Sequence, residues 1–308
     1  MLKLDRVTKV YKVGTFGGKR LTAVRDVSFE LRPGEVVSLI GESGSGKSTV
    51  GKMILRLTPV TDGSITFDGN DVSTLERRRL KDYYGEIQGV FQDPFSSYNP
   101  IFKADRVFSI IRGAYFSGLS KADWERKLDA ALHAVSLEPE AVLNKYPHQL
   151  SGGQLQRLLI ARALLLDIRY LVADEIISML DASTRIDVLN LLGDLKARGL
   201  GVLFITHDLS LGNYISERTV ILRRGRIVEM GATEKVFGNP MHPYTKVLIA
   251  SVPHLHKKWE QVEDEVGAPD VQEHVAREER LGDSGEDGDA GALREVENDH
   301  FVALGRDP

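Results

Sequence analysis

No cysteine occurs among the 308 residues. That absence excludes disulfides, thiolate metal sites and cysteine-held iron–sulfur clusters. The chain also lacks an apolar run long enough to span a bilayer and a secretory signal at its N-terminus, so a cytosolic protein is the default expectation. A strong overall charge is missing too, the net being −4, but the balance is uneven. From Glu260 to Pro308 the chain carries 16 acidic and 4 basic residues, against 36 basic and 28 acidic in residues 1–259. A mildly basic body therefore ends in an acidic tail. The body is compatible with an anionic ligand, a membrane surface, nucleic acid or simple solvation. The run Gly-Asp-Ser-Gly-Glu-Asp-Gly-Asp at 282–289 predicts local disorder rather than a second domain. What remains is ordinary: 42% hydrophobic and 27% charged, enough for one large core or two modest ones.

Within that body one stretch dominates. Gly41-Glu42-Ser43-Gly44-Ser45-Gly46-Lys47-Ser48-Thr49 follows the apolar run Val36–Ile40 and precedes a helical pattern at Val50–Leu55. Strand, glycine loop and helix at the spacing G-x-x-x-x-G-K-[ST] form a phosphate-binding loop. The glycines let several backbone N–H groups converge on one anion, and the helix start adds its positive end. Lys47 supplies a mobile charge for the outer phosphates, and the Ser48 hydroxyl is placed to hold Mg²⁺.

Around this loop the pattern alternates. Leu2–Val7 reads as a half-buried strand, Gly14–Lys19 as a loop and Ala23–Leu31 as a second strand. Tyr11 could stack on an adenine ring, although a packed aromatic is the commoner state. Asp62–Gly69 and Ile87–Phe91 read as further strands, the latter ending at Gln92, which could reach a metal or its water. Ala104–Val135 carries helical patterns, as an insertion in an α/β chain would. Leu150-Ser151-Gly152-Gly153-Gln154 then opens a helix over 155–166, with Ser151 as its cap, giving a second possible anion site. The strand Arg169–Ala173 ends in Asp174 and Glu175. The first carboxylate is suited to sit near Mg²⁺ and the second to polarise a water. A helix at 182–196 leads to strand Val202–Thr206, with His207 at the strand end where parallel sheets bind ligands. Two more strands, Thr219–Leu222 and Arg226–Met230, complete an α/β fold with a mostly parallel sheet and helices on both faces.

These segments, in this order, resemble the ATPase subunit of an ABC transporter. Residues 41–49 resemble its Walker A, Gln92 its Q-loop glutamine and Leu150–Gln154 its LSGGQ signature. Asp174 and Glu175 resemble the Walker B aspartate and catalytic glutamate, 178–181 the D-loop, and His207 the switch histidine; Tyr11 falls where the family sets an aromatic against adenine. The resemblance implies a domain over 1–254 with a RecA-like parallel-sheet core, an N-terminal antiparallel β subdomain and a helical signature subdomain inserted at about 95–166. Residues 255–308 would be an acidic, partly flexible extension. ATP and Mg²⁺ are implied, held by Tyr11, Gly41, Ser43–Thr49, Gln92 and Asp174. Catalysis falls to Lys47, Glu175 and His207. Two such domains pair head to tail in the family, so Ser151, Gly152, Gly153 and Gln154 would touch ATP on the partner.

Finer features narrow the resemblance. Val90–Pro100 and Asn239–Lys246, with Ser251-Val252-Pro253, resemble the peptide/nickel uptake family, and the context of LSGGQ resembles the second of its two ATPases. The implied partners are a paralogous second ATPase, two transmembrane permease subunits and an extracytoplasmic solute-binding protein, with no nucleic acid. The implied location is peripheral, at the cytoplasmic face of the inner membrane. The sequence departs from the family at Ile176, where proline is usual, at Ser178–Thr184, which resembles oligosaccharide importers, and in lacking a cysteine-bearing C-terminal segment. His300–Ala303 still resembles the family's terminal strand. Cargo stays open between oligopeptide and oligosaccharide. A soluble ABC ATPase of translation or DNA repair is the alternative, although such proteins carry two ATPase domains or a long coiled coil.

Overall fold

The computed structural model describes residues 1–13, 18–178, 180–251 and 292–303. Two sheets organise them. The first is antiparallel, in the order β2-β1-β4-β5, built from β1 (Leu2–Val13), β2 (Lys19–Leu31), β4 (Asp62–Phe67) and β5 (Asn70–Asp71). Leu2, Leu4 and Val7 all point into the core. Their spacing changes from two to three because the register shifts between Leu4 and Val7, where Arg6 takes φ 47°. A bulge of this kind keeps one face apolar while bending the strand.

The second sheet has eight strands in the order β11-β12-β10-β9-β3-β8-β7-β6. Five are parallel: β3 (Val36–Ile40), β6 (Ile87–Val90), β7 (Tyr170–Asp174), β8 (Gly201–Thr206) and β9 (Arg218–Arg223). Every residue of β3, β7 and β8 is buried, which explains their continuous apolar runs. The other three strands, β10 (Arg226–Ala232), β11 (Leu293–Glu297) and β12 (His300–Ala303), are antiparallel. The terminal strand expected at 300–303 is thus β12, paired with β10.

Ten α-helices accompany these strands among the described residues: α1 (Lys47–Ile54), α2 (Arg77–Glu86), α3 (Arg106–Tyr115), α4 (Lys121–Ala134), α5 (Pro139–Val142), α6 (Gly152–Leu164), α7 (Ala182–Ala197), α8 (Leu209–Ile215), α9 (Thr233–Gly238) and α10 (Pro243–Ala250). Val50, Met53 and Ile54 of α1 pack in one cluster with residues from both sheets, such as Leu4, Phe67 and Ile205. A second cluster joins α3, α4 and α6 to the other face, at Ala173 and Phe204. The helical insertion is therefore seated on the same sheet that carries the phosphate loop. The helical stretch at 104–135 is two helices, and the second is capped by Ser120, whose Oγ accepts the Asp123 N–H at 3.1 Å. Helix α2 was not expected, because Arg77-Arg78-Arg79 hides its inward residues; Tyr83 is nonetheless buried and donates to the Ile54 carbonyl.

Among the described residues no helix is long and apolar enough to cross a membrane. The acidic run 282–289, Val252-Pro253 and most of the Gly14–Lys19 loop lie outside the described residues.

Candidate functional site

Because β3, β6, β7 and β8 are parallel, their C-terminal ends share one edge. That edge carries the phosphate loop after β3, Gln92 after β6, Asp174 and Glu175 at the end of β7, and His207 after β8. Open α/β sheets bind ligands there. A cleft of ≈ 540 Å³ lies at the edge, lined by Ser43, Gly44 and Gly46–Thr49 together with Ala23, Gln92, Glu175 and His207.

The loop is folded too tightly for side chains at two of its glycines. A Cβ at Gly41 would lie 2.1 Å from the Leu222 carbonyl oxygen. Gly46 takes φ 104°, and a Cβ there would lie 2.4 Å from the Ala23 oxygen. The curl it permits turns the Lys47 ammonium inward, where Nζ donates to the carbonyls of Gly41 at 2.7 Å and Glu42 at 2.8 Å. Burial pushes the Lys47 pKa down, and the nearby charges of Glu175, Asp174 and Glu42 partly oppose this. One residue on, Ser48 Oγ donates to Asp174 Oδ1 at 3.1 Å. Burial pushes the Asp174 carboxyl up, against the hydrogen bond from Ser48. A hydroxyl and a carboxylate side by side are hard oxygen donors and fit Mg²⁺.

Glu175 leaves the sheet by an unusual route. Its N–H still donates to the Ile205 carbonyl at 2.9 Å, but its φ is 50°. A non-glycine residue in this region is uncommon, and such residues gather at functional sites. The turn is closed by Ser178, whose N–H and Oγ donate to the Glu175 carbonyl at 3.1 and 2.9 Å. Glu175 Oε1 lies 3.2 Å from His207 Nδ1, with the imidazole exposed and the carboxylate mostly covered. The Ile176 that replaces the family's proline is buried with Ile177 in the helical-side core. Asp181 then caps α7, taking the Thr184 N–H at 3.0 Å. The Ser183 hydroxyl, with Thr184, holds its carboxyl well below the usual carboxylate range.

Among the residues singled out in the sequence, Ser43, Gly44, Gly46, Lys47, Ser48, Thr49, Gln92, Glu175 and His207 meet in the cleft. Gly41, Ser45 and Asp174 support it from behind, the first two within the loop and the third through Ser48. Tyr11 is half-buried on β1 outside the cleft lining, with Lys9 Nζ 4.9 Å from its ring centroid. The signature residues do not line the cleft either. Ser151 and Gln154 form a reciprocal capping box, Ser151 N–H to Gln154 Oε1 at 2.9 Å and Gln154 N–H to Ser151 Oγ at 3.1 Å. The two glycine turns thus serve separate surfaces of the chain.

Ala23, which lines the cleft, carried no signal in the sequence. Neither α6 contact to the Gln92 strand was read there: Arg162 Nη2 donates to the Gly89 carbonyl at 2.7 Å, and Gln156 Nε2 to the Phe91 carbonyl at 3.4 Å. Gln156, 1% exposed on an apolar helix, is a break in the pattern that could have flagged the second of these.

Comparison with known proteins agrees with this geometry. The family profile described as "ABC transporter" matches residues 24–178, and that described as "Oligopeptide/dipeptide transporter, C-terminal region" matches residues 228–277. A putative peptide import ATP-binding protein of Brucella ovis is 44% identical over 235 residues, covering 76% of this chain and 73% of that protein. The glutathione import ATP-binding protein GsiA of Salmonella choleraesuis is 40% identical over 287 residues, 92% of this chain but only 45% of that longer protein. Among solved structures, the dimeric post-hydrolysis ATP-binding cassette MJ0796, bound to ADP and Pi, superposes with a TM-score of 0.68 at 32% identity, over 76% of this chain and 99% of that one. The first profile takes in half of the chain, including the loop and the strand-end carboxylates, and the second matches a region beyond it. The chain therefore belongs to the ABC transporter ATPases that carry the oligopeptide/dipeptide C-terminal region.

Proposed function

We propose that this ATPase powers a peptide importer, as one of two cassettes bound to a pair of membrane permease subunits. The observation that carries the cargo class is the oligopeptide/dipeptide C-terminal match at 228–277, and the relatives named for peptide and glutathione import agree with it. It outweighs the oligosaccharide resemblance of Ser178–Thr184.

Roles follow from position. Lys47, now held by its own loop's carbonyls, turns to the outer phosphates of ATP and offsets charge that grows in the transition state. Glu175, set off the strand by its left-handed backbone, orients a water for attack on the terminal phosphate, and His207 fixes the Glu175 carboxylate from 3.2 Å. Ser48 and Asp174 would hold Mg²⁺, with Gln92 at the rim; the ion would supply charge that neutralises phosphate oxygens. Tyr11 extends the site towards the adenine.

The domain bounds proposed are 1–254 for the ATPase, with the helical insertion at about 95–166. The partner cassette supplies the missing face. In support, neither signature glycine is demanded by this chain: a Cβ at Gly152 would meet only the Phe95 ring at 3.8 Å, and one at Gly153 the Thr184 methyl at 3.4 Å. Close approach of an outside group accounts for both. The partner proposed is a paralogous ATPase, and closing of the pair on ATP and its opening after hydrolysis would drive the permeases from the cytoplasmic face of the membrane.

The test is a mild-detergent pull-down of the chain from its host, with co-purifying proteins identified. Two permeases, a second ATPase and an exported binding protein are expected, and that binding protein should take peptides when screened against peptides and oligosaccharides. Sugar binding would overturn the cargo. Recovery of ribosomal or DNA-repair proteins in place of permeases would overturn transport itself.

A further inference from the structure

Outside the nucleotide cleft, buried polar and titratable groups collect between the phosphate loop and the C-terminal strands. Glu229 on β10 and His300 on β12 are both fully buried, with Nε2 2.8 Å from Oε1. Glu229 also accepts the Met241 N–H at 2.9 Å through Oε1 and the His242 N–H at 3.0 Å through Oε2. A buried carboxyl with this many partners fixes the turn that enters α10. His242 caps that helix, its Nδ1 accepting the Tyr244 N–H at 3.1 Å. Tyr244, 3% exposed, then reaches the phosphate loop, where its hydroxyl accepts the Glu42 N–H at 3.2 Å. The carbonyl of the same Glu42 takes the Lys47 ammonium at 2.8 Å. A path of hydrogen bonds therefore runs from the last described strand to the loop lysine.

Three further features surround the Tyr244 contact. Burial pushes the phenol's pKa up, so its oxygen keeps the proton and meets the N–H with a lone pair. A cleft of ≈ 280 Å³, lined by both Glu42–Ser45 and Tyr244 with Val247, lies beside the contact. The hydroxyl thus bridges a place where loop and helix are otherwise loosely packed. The Arg223 guanidinium, 4.9 Å from the ring centroid, steadies the phenol from the sheet side.

We propose that Tyr244 is a positioning residue for the phosphate loop, and that α10, anchored by Glu229 and His300, is a strut that fixes the Glu42 peptide and through it Lys47. The C-terminal region matched to oligopeptide transporters would then help preset the ATP site. The inference rests on ATP binding at the loop, which the family gives, and not on peptide as cargo.

Tyr244→Phe tests it, because the ring and its contacts stay and only the hydroxyl, with its bonds to Glu42, goes. Equilibrium ATP binding to the full chain is expected to weaken about five-fold, the usual worth of one neutral hydrogen bond, while the Tm without nucleotide stays within about 2 °C. His300→Leu cuts the path at its far end and is expected to weaken ATP binding about two-fold in the same way. The double variant should bind no more weakly than Tyr244→Phe alone, since both act along one path. Unchanged ATP affinity in Tyr244→Phe overturns the proposal, as does a double variant whose two effects multiply. A purely structural tyrosine would lower the Tm and leave the affinity alone, which also overturns it. If His300→Leu does not fold, Tyr244→Phe decides by itself. None of these readouts depends on which solute is carried.

Discussion

Residues 41–49 and 150–154 are both glycine turns that open a helix, and they differ in where their constraints come from. In the first, the constraints are internal. The Leu222 and Ala23 carbonyls leave no room for side chains at Gly41 and Gly46, and Lys47 and Ser48 are already bonded within the chain. In the second, the backbone is an ordinary capped helix start, the glycines have space around them, and Ser151 and Gln154 satisfy each other. An anion site shaped by its own chain shows its demands as clashes and buried charge. One completed by another molecule shows them as glycines that its own chain does not require.

Three substitutions bear hardest on that contrast. Glu175→Gln keeps the shape of the cleft that the first turn lines but removes the proposed base. Turnover in the assembled transporter is expected to fall at least about 100-fold with ATP binding retained, read by phosphate release and equilibrium titration. Wild-type hydrolysis would remove Glu175 from its role. The paired alanine variants come next. Gly41→Ala drives a methyl into a backbone carbonyl at 2.1 Å, and overpacking of this kind costs about 1–3 kcal/mol, or several degrees of Tm. Gly152→Ala meets only ordinary contact and should leave the Tm of the single chain in place, with ATPase activity lost only in the paired assembly. A large fall in Tm for Gly152→Ala would break the contrast.

How legible each turn was in the sequence follows the same division. Both could be read because their defining residues are neighbours in the chain, at fixed spacing. Strands β3, β7 and β8 were legible for a related reason: burial on both faces leaves unbroken apolar runs. What escaped depends on contacts between distant segments. Helix α2 was masked by three exposed arginines, although Tyr83 anchors it. The left-handed backbone at Glu175 has no marker, since nothing about a glutamate announces φ 50°. Ala23 enters the cleft only because β2 passes beside Gly46. Likewise the motif His242-Pro243-Tyr244 could be matched to a family, but its hydroxyl bond to Glu42, 202 residues away, exists only in the fold.

Ser151→Ala gives a smaller effect that belongs to the second turn alone. It removes the Oγ that accepts the Gln154 N–H, and loss of such a cap costs about 1 kcal/mol. The Tm of the single chain should drop by about 2–4 °C, equally at pH 5 and pH 7, because no titrating group is involved. Circular dichroism melts at the two pH values check it. No drop would mean that the capping box is not formed in solution.

Asp174→Asn should act in the opposite sense at the first turn, with the smallest expected change in Tm. Burial raises the Asp174 carboxyl above its unfolded value, and Ser48, Lys47 and Lys52 only partly offset this. An acid raised in the folded state contributes stability below its unfolded pKa, near 4, and loses it as pH rises through the folded value. At pH 7 the buried Asp174 carboxyl of the nucleotide-free chain therefore contributes less stability than it does near pH 4. Asparagine keeps the oxygen that accepts the Ser48 hydroxyl and removes the charge. The Tm of the nucleotide-free chain is expected to rise by about 2 °C at pH 7, with the gain shrinking towards pH 4, while hydrolysis is lost. The serine that caps the signature helix would then stabilise the chain that bears it, whereas the acid behind the phosphate loop would weaken its chain until nucleotide and metal arrive. A lower Tm for Asp174→Asn at pH 7 would erase that difference in sign and make both turns structural elements of one kind.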